Sequence, residues 1–171
     1  MKKSLVNLQD ALAYRLNGLY DVEKKLQESI PDCLHHVGSP ALLNEMQKYA
    51  DSTRDKVTKL ERVFNYLMEE PEIHPDEVME KMIEDVYELV THAAEPLRDA
   101  LIISCLQNIN HYKISGYGTA RAMAMQLEFE KASELLNEIL TWEKEMDQRL
   151  TLLAMEEVNV KAAEPKFMMT M

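Results

Sequence analysis

Four polar residues break an otherwise apolar pattern at helical spacing, and three of them carry charge. Leu12, Leu16, Leu19, Glu23, Leu26 and Ile30 recur at steps of three and four, as do Met46, Ala50, Thr53, Val57, Leu60 and Phe64. The same spacing joins Ile102, Leu106, Ile109, Lys113, Gly116, Ala120 and Met123, and again Ala132, Leu136, Ile139, Glu143, Met146, Leu150 and Leu153. Glu23, Thr53, Lys113 and Glu143 each fall near the middle of their stripe, so helices of similar length would bring them to one level. Two carboxylates from different helices in a bundle core are ligands for Fe, Mn or Mg. An ammonium at that level neutralises carboxylates and, within about 4 Å, repels a divalent cation. A second placement stays open, in which these side chains lie at the seam's edge and carry their charges out to water.

The elements that would position them follow from the same periodicity. The first helix is expected from about Leu5 to Val37, with Pro31 bending its last turns and Gly38 in the left-handed position after it. The second opens on Ser39 as N-cap with Pro40 at the first helical position, and runs to about Met68. Glu69 to Asp76, with Pro71 and Pro75, reads as a loop, and a shorter helix spans about Glu77 to Ala93. Pro96 restarts the chain for a fourth helix to about Leu127, with Gly116 and Gly118 as points of close packing or kinking. A fifth covers about Glu130 to Val158. Long helices of about 30 residues, each about 45 Å, cannot bury themselves singly. With the short helix in the crossover between the second and third long ones, the pattern predicts an all-α, ferritin-like four-helix bundle. One domain is expected over residues 1–160, and a disordered tail over 161–171.

Composition agrees with helices and narrows the function. In 171 residues there are only 4 Gly and 6 Pro against 12 Met, which argues against a sheet protein with tight turns. Asp and Glu number 30 against 19 Lys and Arg, a net charge of -11, so nucleic acid and anionic lipid surfaces are repelled. Nowhere do about 18 apolar residues run together, and a cytoplasmic, membrane-free protein is expected. Cys33 and Cys105 lack CxxC spacing and read as reduced core thiols. His35 and His36 suit the C-terminal end of a helix, His74 is expected in solvent, and His111 falls off the seam. There is no nucleophilic triad, phosphate loop or dinucleotide fingerprint in the sequence.

The segments LYDVEKKL, STRDKVTKLERVF, NHYKISGYGTA and LLNEILTWEKEMDQRLTLLA resemble the YciF-like ferritin-like proteins, bacterial stress-associated proteins of undefined biochemical activity. The resemblance spans residues 5–160, and its most specific element is the phrase HY-x-I-x-x-YGT. It implies a ferritin-like bundle, often a homodimer, with a carboxylate-rich site able to hold two metals. Glu23 keeps the family's glutamate. His-Leu-x-Glu-Thr of the family is here Tyr49, Ala50, Asp51, Ser52 and Thr53, and Glu-His-Tyr-Glu is Asn110, His111, Tyr112 and Lys113. The family's Glu-Glu pair is Trp142 and Glu143, with Asp147 one turn on. Ligand positions are thus substituted at Tyr49, Ser52, Asn110 and Lys113, and Glu23, Thr53, Lys113, Glu143 and Asp147 form the layer expected as its vestige.

The expectation is a non-enzymatic stress-associated bundle in which a buried Glu-Lys-Glu network replaces the di-metal centre, with no catalytic residues and no cofactor. An alternative keeps Fe or Mn on an altered set, Glu23, Glu143 and Asp147 with Asp51, as an oxidase or peroxidase related to rubrerythrins. Such a site needs Lys113 to swing away or lose its proton. A further alternative is an acidic module that binds a basic protein partner.

Overall fold

The computed structural model describes residues 5–72 and 74–163. Helix α1 spans Leu8–Leu34, α2 Pro40–Leu67, α3 Glu77–His92, α4 Leu97–Gln126 and α5 Glu130–Leu153, followed by a π-helical segment Ala154–Val158 and a short α6, Asn159–Ala163. Each of the first three starts where a side chain can accept an otherwise unpaired N–H. The Asn7 side chain accepts from Asp10, Ser39 Oγ from Leu42 and the Asp76 carboxylate from Met79. The Ser39 and Pro40 start matches the sequence expectation.

α1 packs against α2 and α4, and α5 packs against the same two, so four long helices form a ring. α3 lies in the connection between α2 and α4 and covers α4. This is the ferritin-like four-helix bundle with its long crossover. The interior divides into two apolar clusters, one around Leu26, Met46, Leu106 and Leu150 and the other around Leu16, Leu60, Ala120 and Leu136. Cys33 and Cys105 are buried free thiols in the first cluster; burial pushes the Cys33 thiol up to about 11. Among the described residues no helix is long and apolar enough to cross a membrane.

Several local expectations need correction. α1 ends at Leu34, and Gly38 does not take the left-handed conformation. Instead Gly38 and Ser39 donate their N–H groups to the Asp99 carboxylate at 3.0 and 2.7 Å, so a side chain from α4 closes this connection. Asp99 is buried there, and Ser39 Oγ donates to Glu157 at 2.9 Å. Gly116 is a point of close approach: a Cβ there would lie 2.8 Å from Leu19 Cδ2. Gly118 has open space around it. Ala50, Met123 and Leu153 are only half-buried members of their stripes. Of the tail, Lys161 to Ala163 are helical; residues 164–171 lie outside the described residues.

Candidate functional site

Between the two apolar clusters lies one polar level. Glu23 from α1, Thr53 and Lys56 from α2, Asn110 and Lys113 from α4, and Glu143 from α5 are all buried. The four charged side chains among them expose at most 1% of their surface. Lys113 Nζ stands 2.8 Å from Glu23 Oε1 and 2.8 Å from Glu143 Oε1. Lys56 Nζ is 2.5 Å from that same Glu143 oxygen. Two ammonium groups and two carboxylates make the level neutral overall, the condition under which charge survives away from water.

Neutral donors complete it. Tyr117 donates to Glu23 Oε1 at 2.6 Å, while Asn110 Nδ2 donates to Glu143 Oε2 at 2.6 Å. Tyr49 receives a hydrogen bond from Lys113 at 2.9 Å and passes its own to Glu143 Oε2 at 3.3 Å. The Tyr49 ring also faces both ammonium groups, 4.4 Å from Lys56 and 4.8 Å from Lys113. Thr53 turns its hydroxyl back to the Ala50 carbonyl at 2.6 Å and joins no ion.

Glu143 and Lys113 hold each other in their ionised forms. Burial alone would raise Glu143, but Lys113 and Lys56 overcome it and bring its pKa down to about 2 from an ordinary 4.5. Burial works against the Lys113 ammonium too, yet Glu143 and Glu23 outweigh it and lift Lys113 well above its ordinary value. Lys56 is lowered, by burial and by Lys113 beside it. Tyr117 and Tyr49 are raised, chiefly by burial, with the Glu23 carboxylate next for Tyr117 and Glu143 next for Tyr49.

These donors do not suit a divalent cation. Both oxygens of Glu143 are engaged, and two ammonium groups stand within contact distance of its carboxylate. Glu23 Oε2 and Asn110 Oδ1 are the acceptors of this level without a hydrogen-bond partner. One carboxylate oxygen and one amide oxygen fall short of a metal's usual ligand count. Among the described residues no three His, Cys, Asp or Glu side chains converge as ligands.

Of the residues singled out from sequence, Glu23, Lys113 and Glu143 meet, with Thr53 beside them. Tyr49 and Asn110, two of the substituted ligand positions, meet them as well. Ser52 does not: it is half-buried and donates to the Tyr49 carbonyl. Asp147 belongs elsewhere, accepting from Gln107 at 3.1 Å and lying 3.4 Å from the exposed His111. Asp51 is exposed. His74, expected in solvent, is half-buried with its ring edge-on to Tyr14, centroids 4.6 Å apart. Lys56 and Tyr117 are what the stripe count missed. Their signal was the spacing Thr53 to Lys56 and Lys113 to Tyr117, three and four residues along the same inward faces.

A family model described as Domain of unknown function (DUF892) matches residues 7–163. Protein YciF of Escherichia coli strain K12 is 28% identical over 164 aligned positions, with 93% of this chain and 97% of that protein covered. The crystal structure of the E. coli stress protein YciF is similar with a TM-score of 0.87 at 27% identity, over 91% of this chain and 99% of that one. YcfI of Rhodopseudomonas palustris matches in fold with a TM-score of 0.84 at 22% identity, over 88% and 97% of the two chains.

Proposed function

This chain belongs to the family described as Domain of unknown function (DUF892), and from that premise we propose that it is a non-enzymatic, stress-associated bundle in which a buried ionic network stands where a ferritin-like relative would hold two metals. The observation that carries this is the neutral, water-excluded level formed by Glu23, Lys113, Lys56 and Glu143. Acid–base or redox chemistry needs a reactant to reach the groups that perform it, and here every charged head contacts another charged head. The network's own effect is to tie the four long helices at one level, since Lys113 can satisfy Glu23 and Glu143, and Lys56 the same Glu143, only when α1, α2, α4 and α5 are in one relative position. Within this reading the protein is cytoplasmic and acts by association, first with a second copy of itself; the stress assignment of E. coli YciF supports the physiological setting.

Metal titration tests it. A ligand bound only by the folded state stabilises it by about 2.7 kcal/mol at a hundredfold excess over Kd, plain in a melting curve. Fe(II), Mn(II) and Zn(II) at about a hundred times a micromolar Kd are expected to leave the melting temperature unchanged. A chain carrying Tyr49→His, Ser52→Glu, Asn110→Glu and Lys113→Glu, with Lys56→Met to remove the second ammonium, should gain metal-dependent stabilisation. Stoichiometric metal on the natural chain, lost on Glu143→Gln, would overturn the proposal in favour of a ferritin-like enzyme.

A further inference from the structure

The crossover helix α3 is held differently from the four long helices. It packs on α4 and α1, while α1, α2, α5 and α4 close a ring without it. Its buried residues are Met79, Val86 and Val90, all in the apolar cluster around Leu26 and Leu106. The second cluster, around Leu16 and Leu136, holds no residue of α3 among those described. Along α1 the attachment is polar. Asp76 donates its N–H to Asp21 at 3.1 Å, Glu80 pairs with Lys25 at 2.6 Å, and the Tyr87 hydroxyl donates to the Ser29 carbonyl at 3.4 Å. Asp21, Lys25 and Ser29 stand at steps of four, so these rungs climb one face of α1. Lys25 also pairs with Asp21 at 2.9 Å, joining the first rung to the second.

Asp76 is the clasp of this ladder. Its carboxylate accepts from the Met79 N–H at 3.0 Å, capping α3, and from the Tyr112 hydroxyl of α4 at 2.5 Å. Burial and then Asp76 push the Tyr112 pKa up to about 12, so the phenol keeps its proton. One residue thus binds the start of α3 to two long helices. The residues of the rungs are half-buried or exposed, so water can take over each hydrogen bond as it breaks. Both thiols lie beneath α3. Cys105, 8% exposed, lines a cleft of about 370 Å³ together with Met82, Asp85 and Leu89 of α3, and burial followed by Asp85 raises its pKa. Cys33, 6% exposed, directly follows Asp32, which the Tyr87 hydroxyl reaches at 3.5 Å, and shares its cluster with Val86 and Val90.

We propose that α3, with Asp76 as its clasp, is a strap that lifts off the closed four-helix ring as one unit and uncovers the thiols of Cys33 and Cys105. Three buried side chains and a ladder that water can replace are what resist lifting. Each long helix, by contrast, contributes to both apolar clusters and cannot leave without opening the whole interior. Such an opening lies between the fraying of an end and global unfolding. While the strap is down, burial keeps both thiols from the thiolate form that reacts; when it lifts, they regain it. Glu23, Lys56, Lys113 and Glu143 stay in place throughout, so strap and ionic level are separate devices.

Alkylation of the full chain by iodoacetamide under native conditions, followed residue by residue in the mass spectrometer beside amide hydrogen exchange, tests it. Both cysteines and the α3 amides are expected to report one opening, populated at least about a hundredfold more than the opening that exposes the slowest amides of α2 and α5. Asp76→Ala, which frees Tyr112 and uncaps α3, should raise that population about tenfold or more, and Tyr87→Phe, which keeps the ring, about fivefold. Val63→Ala, in the cluster that α3 does not reach, should lower the urea midpoint and leave native-state alkylation unchanged. Cysteines that react only as the whole chain unfolds, a Cys105 rate equal in Asp76→Ala and the natural chain, or a rise in Val63→Ala as large as in Asp76→Ala would overturn the proposal.

Discussion

At mid-bundle Glu143 meets two ammonium groups and two neutral donors; where α2 begins, Asp99 is also buried and meets only the N–H groups of Gly38 and Ser39. One carboxylate is balanced by full charges from distant helices. The other is balanced by two backbone N–H groups of the connection just before α2, which stay in place as long as the backbone does. The difference is in what each arrangement demands of its surroundings. Removing a lysine leaves two buried carboxylates with half their compensation, whereas removing Asp99 leaves two N–H groups, one of them at an exposed glycine that water can reach.

That contrast can be broken most directly at Lys113. Lys113→Ala is expected to cost about 3 to 5 kcal/mol in urea unfolding at neutral pH, the range for breaking a buried pair on one side. A loss below about 0.5 kcal/mol, usual for a surface residue, would mean that the mid-bundle charges do not depend on one another.

Acid should act on the middle of the bundle with slightly smaller effect. Glu143 has a folded pKa of about 2, below its ordinary 4.5. Its contribution is therefore present above about 4.5 and is lost as pH falls towards 2, a shift corresponding to about 3 kcal/mol. Lys113 is raised, so its contribution is present below its ordinary 10.5 and is lost as pH rises through the higher folded value. Both shifts report one ion pair and are not added. Denaturant melts from pH 6 to about 2 should show a steep limb that Lys113→Met flattens, Lys56 preserving part of it. An equal slope in the two proteins would uncouple Lys113 from Glu143.

The Asp99 end should yield less. Asp99→Ala is expected to cost about 1 to 3 kcal/mol, for two hydrogen bonds to a charged acceptor of which one donor can be rehydrated. If it costs more than Lys113→Ala, backbone donors rather than lysines are the stronger compensation in this fold.

The same contrast explains what was legible in the sequence. Glu23, Lys113 and Glu143 could be placed together because side-chain partners on different helices each leave a polar residue on an apolar stripe. Lys56 escaped because it lies one position off that stripe, on a helix wide enough at the seam to bury a second row. Asp99 escaped for a different reason: its partners are backbone groups sixty residues away, and an amide leaves no trace in residue type. Gly38 was misread on the same account, because a glycine after a helix signals the left-handed cap, whereas here it serves an extended connection donating to Asp99. The crossover helix, the Ser39 start and the pairing of long helices depend on periodicity and capping chemistry that the chain states locally. The edge-on pair of His74 and Tyr14 depends on a loop, and forms only once that loop has folded across α1.

The π-helical segment Ala154–Val158 changes which face the chain's last turns present. At about 100° per residue, the position seven residues after Leu150 falls about 20° short of two full turns, so an unbroken α-helix would bring Glu157 into the seam and send Val158 about 80° away from it. The wide turn absorbs one residue and moves the phase back by one place. Val158 becomes the buried member, 2% exposed, and Glu157 swings to the rim, where it takes the Ser39 hydroxyl at 2.9 Å and Lys161 at 2.8 Å. A single extra residue in the winding thus exchanges a carboxylate for a valine at the end of the core, and hands that carboxylate to the residue that begins α2.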